Sequence, residues 1–199
     1  MELDIRLKRS IWGYPKGDGS GLSKFAEYKA DKFGRNNSTA TTTEVGYWRN
    51  DRMILKWFTE YGDADCENCG MGAYVNIDVI AELCETCRIV LDSFDGKRLK
   101  LLEYLQNKAP DFQRSLKFNS KNLDEMYRKV NTIFVIPKSF DKIVENEFGS
   151  LYIPFRNNDD RVYFLLNAIK TVLMLDGILD EHEELEKEVY VDYIFNYSM

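Results

Sequence analysis

Residues 76–94, NIDVIAELCETCRIVLDSF, carry the clearest structural signal in the sequence. Their apolar positions follow one another at intervals of three, four, three, four and three residues. This spacing places them on one face of an α-helix, and Asn76 is a favourable residue to cap its start. The stretch therefore predicts an amphipathic helix that packs against a core. The positions on this face are Ile77, Ile80, Cys84, Cys87, Leu91 and Phe94.

The four cysteines form two pairs, Cys66 with Cys69 and Cys84 with Cys87, and fourteen residues separate the pairs. Two residues between cysteines let a turn or a helical turn aim both sulfur atoms at one tetrahedral metal. The spacing predicts a structural zinc ion that ties the preceding chain to the helix. Two alternatives remain open: reduced core cysteines, since Cys84 and Cys87 lie on the apolar face, and redox or disulfide chemistry.

Both ends of the chain have the pattern of β-strands. Leu3, Ile5 and Leu7 alternate with charged residues, which is the period of a strand with one buried face. Residues 189–195 are rich in β-branched and aromatic side chains. We expect these two segments to pair in a small terminal sheet.

The remaining pattern is mainly helical. Thr41 and Glu44 fit a capping box, which predicts a helix from Thr41 to about Tyr61. Further helices are expected over 97–108, after Ser120 and Ser139, and from Asp159 to Leu175, the last one ended by Gly177. Residues 13–41 are rich in glycine and small polar residues, and we expect a mobile loop there. The predicted fold is one α+β domain over 1–199, predominantly helical, with the zinc staple.

Composition excludes several classes of protein. The chain has 199 residues, a net charge of -6, 44% hydrophobic and 14% aromatic residues, which excludes collagen, coiled coil and wholesale disorder. No run approaches the roughly 18 apolar residues of a membrane span, and charged, alternating sequence follows Met1 where a signal peptide would be apolar. We therefore expect a soluble intracellular protein.

No residue is assigned a catalytic or cofactor-binding role. His182 is the single histidine and lies among four acids, which favour its protonated form. Without a second histidine or a nucleophile motif, it is interpreted as part of an exposed turn or helix start. The glycines of residues 17–21 lack the Gly-Lys-Ser/Thr that completes a phosphate-binding loop, which favours a flexible loop.

Charge is distributed unevenly along the chain. Residues 159–192 hold ten acidic and three basic side chains, a difference of -7. Arg49, Arg52 and Lys56 follow at spacings of three and four, so they share one stripe of the helix predicted over 41–61. This basic stripe is a candidate contact for an acidic partner or phosphate, or else a solvated face. The overall acidity disfavours nucleic-acid binding without excluding it.

Three further blocks of sequence are Met1–Arg9, Glu44–Phe58, and Phe148–Ser150 before an acidic helix. Together they resemble a family of small uncharacterised phage and prophage proteins. Proteins of that family begin GLDMYL, carry a YWRKAN-x-IHKWF box and later show FFFGS before a helix. The resemblance covers most of the chain in the same order. It implies a viral or prophage accessory protein located in the host cytoplasm, and it brings no known activity with it.

The chain departs from the family box at four positions. Asn50, Asp51 and Arg52 stand where the family tends to have Lys-Ala-Asn, and Leu55 replaces its histidine. A function that depends on that histidine therefore does not carry over. The positions that match are Tyr47, Trp48, Arg49, Trp57 and Phe58.

These observations predict a non-catalytic accessory protein that binds a host protein or nucleoprotein complex. Host takeover or inhibition of a bacterial defence system would suit it. The first alternative is a nucleic-acid-binding zinc protein that uses Arg49, Arg52 and Lys56. The second is an enzyme of unknown reaction whose polar residues converge only after folding.

Overall fold

The structure, a computed structural model, describes residues 3–12, 40–62, 73–93, 135–187 and 189–198. Within these ranges the chain forms four strands, four α-helices and one short 3-10 helix. The strands are β1 (Asp4–Trp12), β2 (Ala40–Arg49), β3 (Ala73–Val75) and β4 (Tyr190–Ser198). They make one antiparallel sheet in the order β2-β1-β4-β3. The α+β class is therefore confirmed.

The predicted pairing of the two ends of the chain is confirmed. β1 lies between β2 and β4, and Ile5 is opposite Trp48 on one side and Tyr197 on the other. Ile5 and Leu7 are fully buried whereas Arg6 is exposed, as the alternation predicts. The sheet thus has one face on the core, and it is larger than predicted because β2 and β3 join it.

The predicted helix over 41–61 is wrong in its first half. Residues up to Arg49 form β2, and helix α1 spans only Arg52–Tyr61. The three consecutive threonines and Val45 favour extended backbone, and pairing with β1 satisfies the amides that a capping box would have served. Asn50 then turns the chain with a φ of 55°, and Asp51 caps α1.

Two other helix predictions can be compared with the structure directly. Helix α2 spans Ile77–Ser93 and α3 spans Ser139–Phe148, followed by a 3-10 turn over Gly149–Leu151. Both helices are confirmed, and the Asn76 side chain accepts a hydrogen bond from the amide of Asp78 at 3.1 Å. The helices predicted over 97–108 and after Ser120, and residues 13–39 of the predicted loop, lie outside the described residues.

Helix α4 is much longer than predicted. It spans Asn158–Leu185 and passes through Gly177, where we expected it to end. An interior glycine costs only about 1 kcal/mol relative to alanine, and the burial of Leu175 and Ile178 on either side outweighs that cost. Gly177 is therefore an interior residue of α4.

The core lies between the inner face of the sheet and the helices. Helix α4 packs along α2 and also contacts β2 and β4. Phe58 of α1 stacks on Phe195 of β4 with ring centroids 5.0 Å apart, and its ring lies 5.5 Å from that of Trp48. These aromatic contacts join β2 and β4 to α1.

Among the described residues, one helix is long and apolar enough to cross a membrane, namely α4, so the expectation that no segment reaches that length was wrong. Some 61% of its most apolar window is buried within the fold, as in the core helix of a soluble protein. The structure is compatible with a soluble protein, and the intracellular location stays a prediction.

Candidate functional site

A buried polar cluster lies where β2 turns into α1. The carboxylate of Asp51, which is 4% exposed, accepts hydrogen bonds from the amides of Met53 at 3.1 Å and Ile54 at 3.0 Å. These amides belong to the first turn of α1 and have no partner within the helix. Asp51 is therefore the N-cap of α1, although an N-cap carboxylate is normally in solvent.

Helix α4 supplies the rest of this cluster. Asn167, Lys170 and Thr171 follow at spacings of three and one, so they share the face of α4 that contacts β2. Asn167 donates to Asp51 at 2.8 Å, and Lys170 donates to the backbone carbonyl of Tyr47. Thr171 accepts from the indole of Trp48 at 2.8 Å. The three polar side chains on α4 therefore fix β2 and the start of α1.

Burial determines the electrostatics of the cluster. Desolvation raises the pKa of Asp51, although its hydrogen bonds and the positive charge of Lys170 favour the ionised carboxylate. Desolvation likewise lowers the pKa of Lys170 to about 8. Because Lys170 is only 2% exposed, its amine does not meet a dissolved substrate in this fold. The cluster therefore has a structural role: its hydrogen bonds connect α4 to β2 and to the start of α1.

This cluster was not predicted from sequence. Asn167, Lys170 and Thr171 interrupt the apolar pattern of a helix, at spacings that put them on one face. Polar side chains on a buried helix face need hydrogen-bond partners elsewhere in the fold. The spacing of these three residues could therefore have indicated a buried polar cluster. Only the folded chain shows that Asp51 and Tyr47 are those partners.

Two of the four predicted zinc ligands lie in the described residues. Cys84 and Cys87 are buried in the core, as their positions on the α2 face predicted. The Cys84 thiol donates to the carboxylate of Asp176 at 3.3 Å, and Arg88 holds the same carboxylate at 2.5 Å. Burial and the neighbouring Asp176 raise the pKa of Cys84 to about 12, and burial raises that of Cys87 well above its usual range.

The donor set for zinc is incomplete in the described part of the chain. Cys66 and Cys69 lie outside it, and the described residues hold no group of three or more His, Cys, Asp or Glu side chains that could bind a metal. Zinc binds cysteine as the thiolate, so a metal at Cys84 and Cys87 would have to displace a proton from each thiol, and burial opposes that by raising both pKa values. Zinc binding by all four cysteines stays a prediction.

The placement of His182 differs from the interpretation based on sequence. It lies in the last turns of α4, and its side chain is only 13% exposed. Nδ1 of His182 lies 3.3 Å from the hydroxyl of Tyr193, and Nε2 lies 3.7 Å from Glu186. The exposed turn or helix start was therefore wrong, because β4 packs under this end of α4.

The three residues of the predicted basic stripe are divided between two elements. Arg49 ends β2, whereas Arg52 and Lys56 are exposed on α1. The prediction of one helical stripe was wrong, because the helix begins only at Arg52. Arg52 and Lys56 remain one turn apart on one face of α1, and their role in partner binding stays a prediction.

Six of the ten acids in residues 159–192 lie in the C-terminal half of α4 or directly after its last residue. They are Asp176, Asp180, Glu181, Glu183, Glu184 and Glu186. Four of them lie within ion-pair distance of a basic side chain: Asp176 with Arg88, Glu181 with Arg9, Glu184 with Lys187 and Glu186 with His182. Asp180 and Glu183 have no such pair within the described ranges, and both are exposed.

No family model, curated protein or solved structure matches this chain.

Proposed function

We propose that the protein is a non-catalytic phage or prophage accessory protein that binds a host protein through the acidic half of α4. Host takeover or inhibition of a bacterial defence system would be its purpose. A structural zinc ion held by Cys66, Cys69, Cys84 and Cys87 would stabilise the scaffold. The phage origin is supported by the resemblance of three sequence blocks, in particular Glu44–Phe58.

The binding proposal depends on one observation, namely that exposed acidic side chains are concentrated in the C-terminal half of α4, where a helix does not favour them. The C-terminal end of a helix has a partial negative charge, so carboxylates there are unfavourable. Asp180 and Glu183 lie in this region, exposed and without an ion-pair partner in the described chain. Apart from a weak attraction between Glu183 and the exposed Lys187, neither charge has a stabilising contact within the described chain. A positively charged partner surface would use them.

The two alternatives have less support from the described residues. Nucleic-acid binding needs clustered positive charge, and of the three predicted basic residues only Arg52 and Lys56 share a helix face. Catalysis needs polar groups that reach a substrate, whereas Asp51, Asn167 and Lys170 are buried. Binding through α4 is therefore the function that we favour.

A pull-down with mass spectrometry tests the proposal. The tagged protein and its Asp180→Lys/Glu183→Lys variant are incubated with bacterial lysate, and retained proteins are identified. Glu145→Lys/Glu147→Lys on α3 is the matched control, because both acids are exposed and the charge change is the same. We expect a stoichiometric partner that the α4 variant loses and the α3 variant retains.

Two outcomes would contradict the proposal. One is a partner that both charge-reversed variants retain equally, which would place the contact elsewhere. The other is the failure of the wild-type protein to retain any partner, combined with turnover of a small molecule by the purified protein.

A further inference from the structure

Four glycines lie in the described residues. At three of them a larger side chain would clash or strain the backbone, and at the fourth it would not. A Cβ on Gly46 would lie 3.0 Å from the Trp48 ring, and one on Gly62 would lie 2.4 Å from the carbonyl oxygen of Phe58. Gly149 has a φ of +52°, which other residues rarely adopt. A Cβ on Gly177 would meet nothing within 4 Å.

No contact within the described residues therefore requires a glycine at position 177. It lies in the interior of a helix, where glycine is the least favourable residue after proline. Alanine would fit in the available space and would stabilise the helix. A glycine in such a position leaves room for another backbone to approach closely.

The residues around Gly177 form one exposed face of α4. Leu173, Gly177, Asp180 and Glu184 follow at spacings of four, three and four residues, so they lie along the same side of the helix. All four are exposed, and Leu173 retains 51% of its accessible surface. We call these four residues the α4 ridge. Along the ridge, the apolar side chain of Leu173 is followed by Gly177, which has no side chain, and then by the carboxylates of Asp180 and Glu184.

We propose that the α4 ridge is the docking surface for a positively charged helix of a partner protein, which crosses α4 at Gly177. The proposal rests on the proposed function and specifies its contact. The partner helix would place an apolar side chain against Leu173 and lysine or arginine side chains opposite Asp180 and Glu184. In this contact Glu184 would exchange its exposed partner Lys187 for the new base. The missing side chain at Gly177 would let the two helix axes come closer than the usual 8–10 Å.

Charge complementarity selects this partner over two others. A nucleic acid would bring phosphates towards Asp180 and Glu184, and the like charges would repel. A second copy of the same ridge would bring carboxylates against carboxylates, or Leu173 against Glu184 if the helices were antiparallel. A basic helix satisfies both the acids and the apolar position.

Affinity measurements on the purified partner from the pull-down test this contact. Gly177→Leu fills the gap with a good helix former, and Leu173→Gln removes the apolar contact. Ile89→Gln is the control for the latter, since Ile89 is exposed on α2. We expect Kd to rise at least about tenfold for Gly177→Leu and Leu173→Gln, and to stay within about twofold for Ile89→Gln.

Thermal unfolding separates a lost contact from a damaged fold. Gly177→Leu should raise Tm by about 2 °C, because it improves helix propensity without a clash. A variant that is more stable and yet binds more weakly has lost the contact itself. A fall in Tm for Gly177→Leu would show that the fold needs this glycine, and would overturn the inference.

The possible failures are distinguishable. If Asp180→Lys/Glu183→Lys weakens binding while Gly177→Leu binds like the wild type, the function stands and the crossing at Gly177 is wrong. If neither variant changes Kd, the α4 contact itself is wrong. Absence of any partner for the wild-type protein, or a partner that presents nucleic acid to the ridge, also contradicts the inference.

Discussion

Asp51 and Asn167 are 116 positions apart in the chain, and the carboxylate of the first accepts the side-chain amide of the second at 2.8 Å. The same carboxylate caps α1 through the amides of Met53 and Ile54. One buried side chain thus begins a helix and attaches it to α4. The start of α1 and its attachment to α4 therefore depend on the same carboxylate.

Removal of the Asp51 carboxylate should destabilise the protein strongly. Asp51→Ala leaves three donors without an acceptor in a buried place, and we expect a loss of about 3 kcal/mol in the free energy of unfolding. Asp51→Asn keeps an acceptor for the α1 amides and should lose only about 1 kcal/mol. Urea unfolding followed by tryptophan fluorescence and circular dichroism measures both. Equal losses for the two variants would show that the charge, rather than the cap, is what matters.

Periodicity and composition predict the apolar face of α2 and the pairing of the two terminal strands, and both are confirmed. They do not predict where tertiary contacts override a local signal. The end of α4 does not follow from Gly177, because tertiary burial outweighs a local preference. Likewise, Thr41 and Glu44 have the pattern of a helix cap, but β1 offers this segment a ladder of hydrogen bonds.

The candidate site shows the same division. The sequence locates the acids of α4, because charge can be counted along the chain. It does not show that Glu181 pairs with Arg9 while Asp180 has no ion pair in the described ranges, since the Glu181–Arg9 pair joins α4 to β1. The polar cluster at Asp51 was missed for the same reason.

Lys170 should make stability depend on pH in mildly alkaline solution. Its pKa is about 8 in the folded protein against 10.5 when unfolded, so the unfolded chain binds more protons between these values. Stability from this group therefore rises with pH across that window. Relative to Lys170→Met, the wild type should gain about 1 kcal/mol for each pH unit from about 8 to 10.

The comparison with Lys170→Met is needed because tyrosine and cysteine side chains also titrate in this range. Those groups are the same in both proteins, so the difference between the two curves isolates Lys170. Lys142→Met, at an exposed position on α3, should give a curve parallel to the wild type. A difference curve for Lys170→Met that is flat from pH 8 to 10 would contradict the prediction.

Gly46 should tolerate no larger side chain. A Cβ at this position would lie 3.0 Å from the Trp48 ring and 3.1 Å from Cβ of Leu7, and both neighbours are fully buried. Gly46→Ala should therefore lower the free energy of unfolding by about 1–3 kcal/mol, as overpacking does. Thr43→Ala, exposed on the same strand, should cost less than 1 kcal/mol by the usual range for surface positions. Chemical denaturation of both variants measures the contrast.

The zinc prediction is tested by the stoichiometry of the reduced protein. Native mass spectrometry should show one zinc ion per chain, and its loss on treatment with a strong chelator. Cys66→Ser/Cys69→Ser should abolish the metal by removing two thiolate ligands. Cys84→Ala should abolish it as well and should also destabilise the core, because its side chain is buried and donates to Asp176. A reduced protein without metal, or full zinc content in Cys66→Ser/Cys69→Ser, would show instead that Cys84 and Cys87 are core thiols kept protonated by burial.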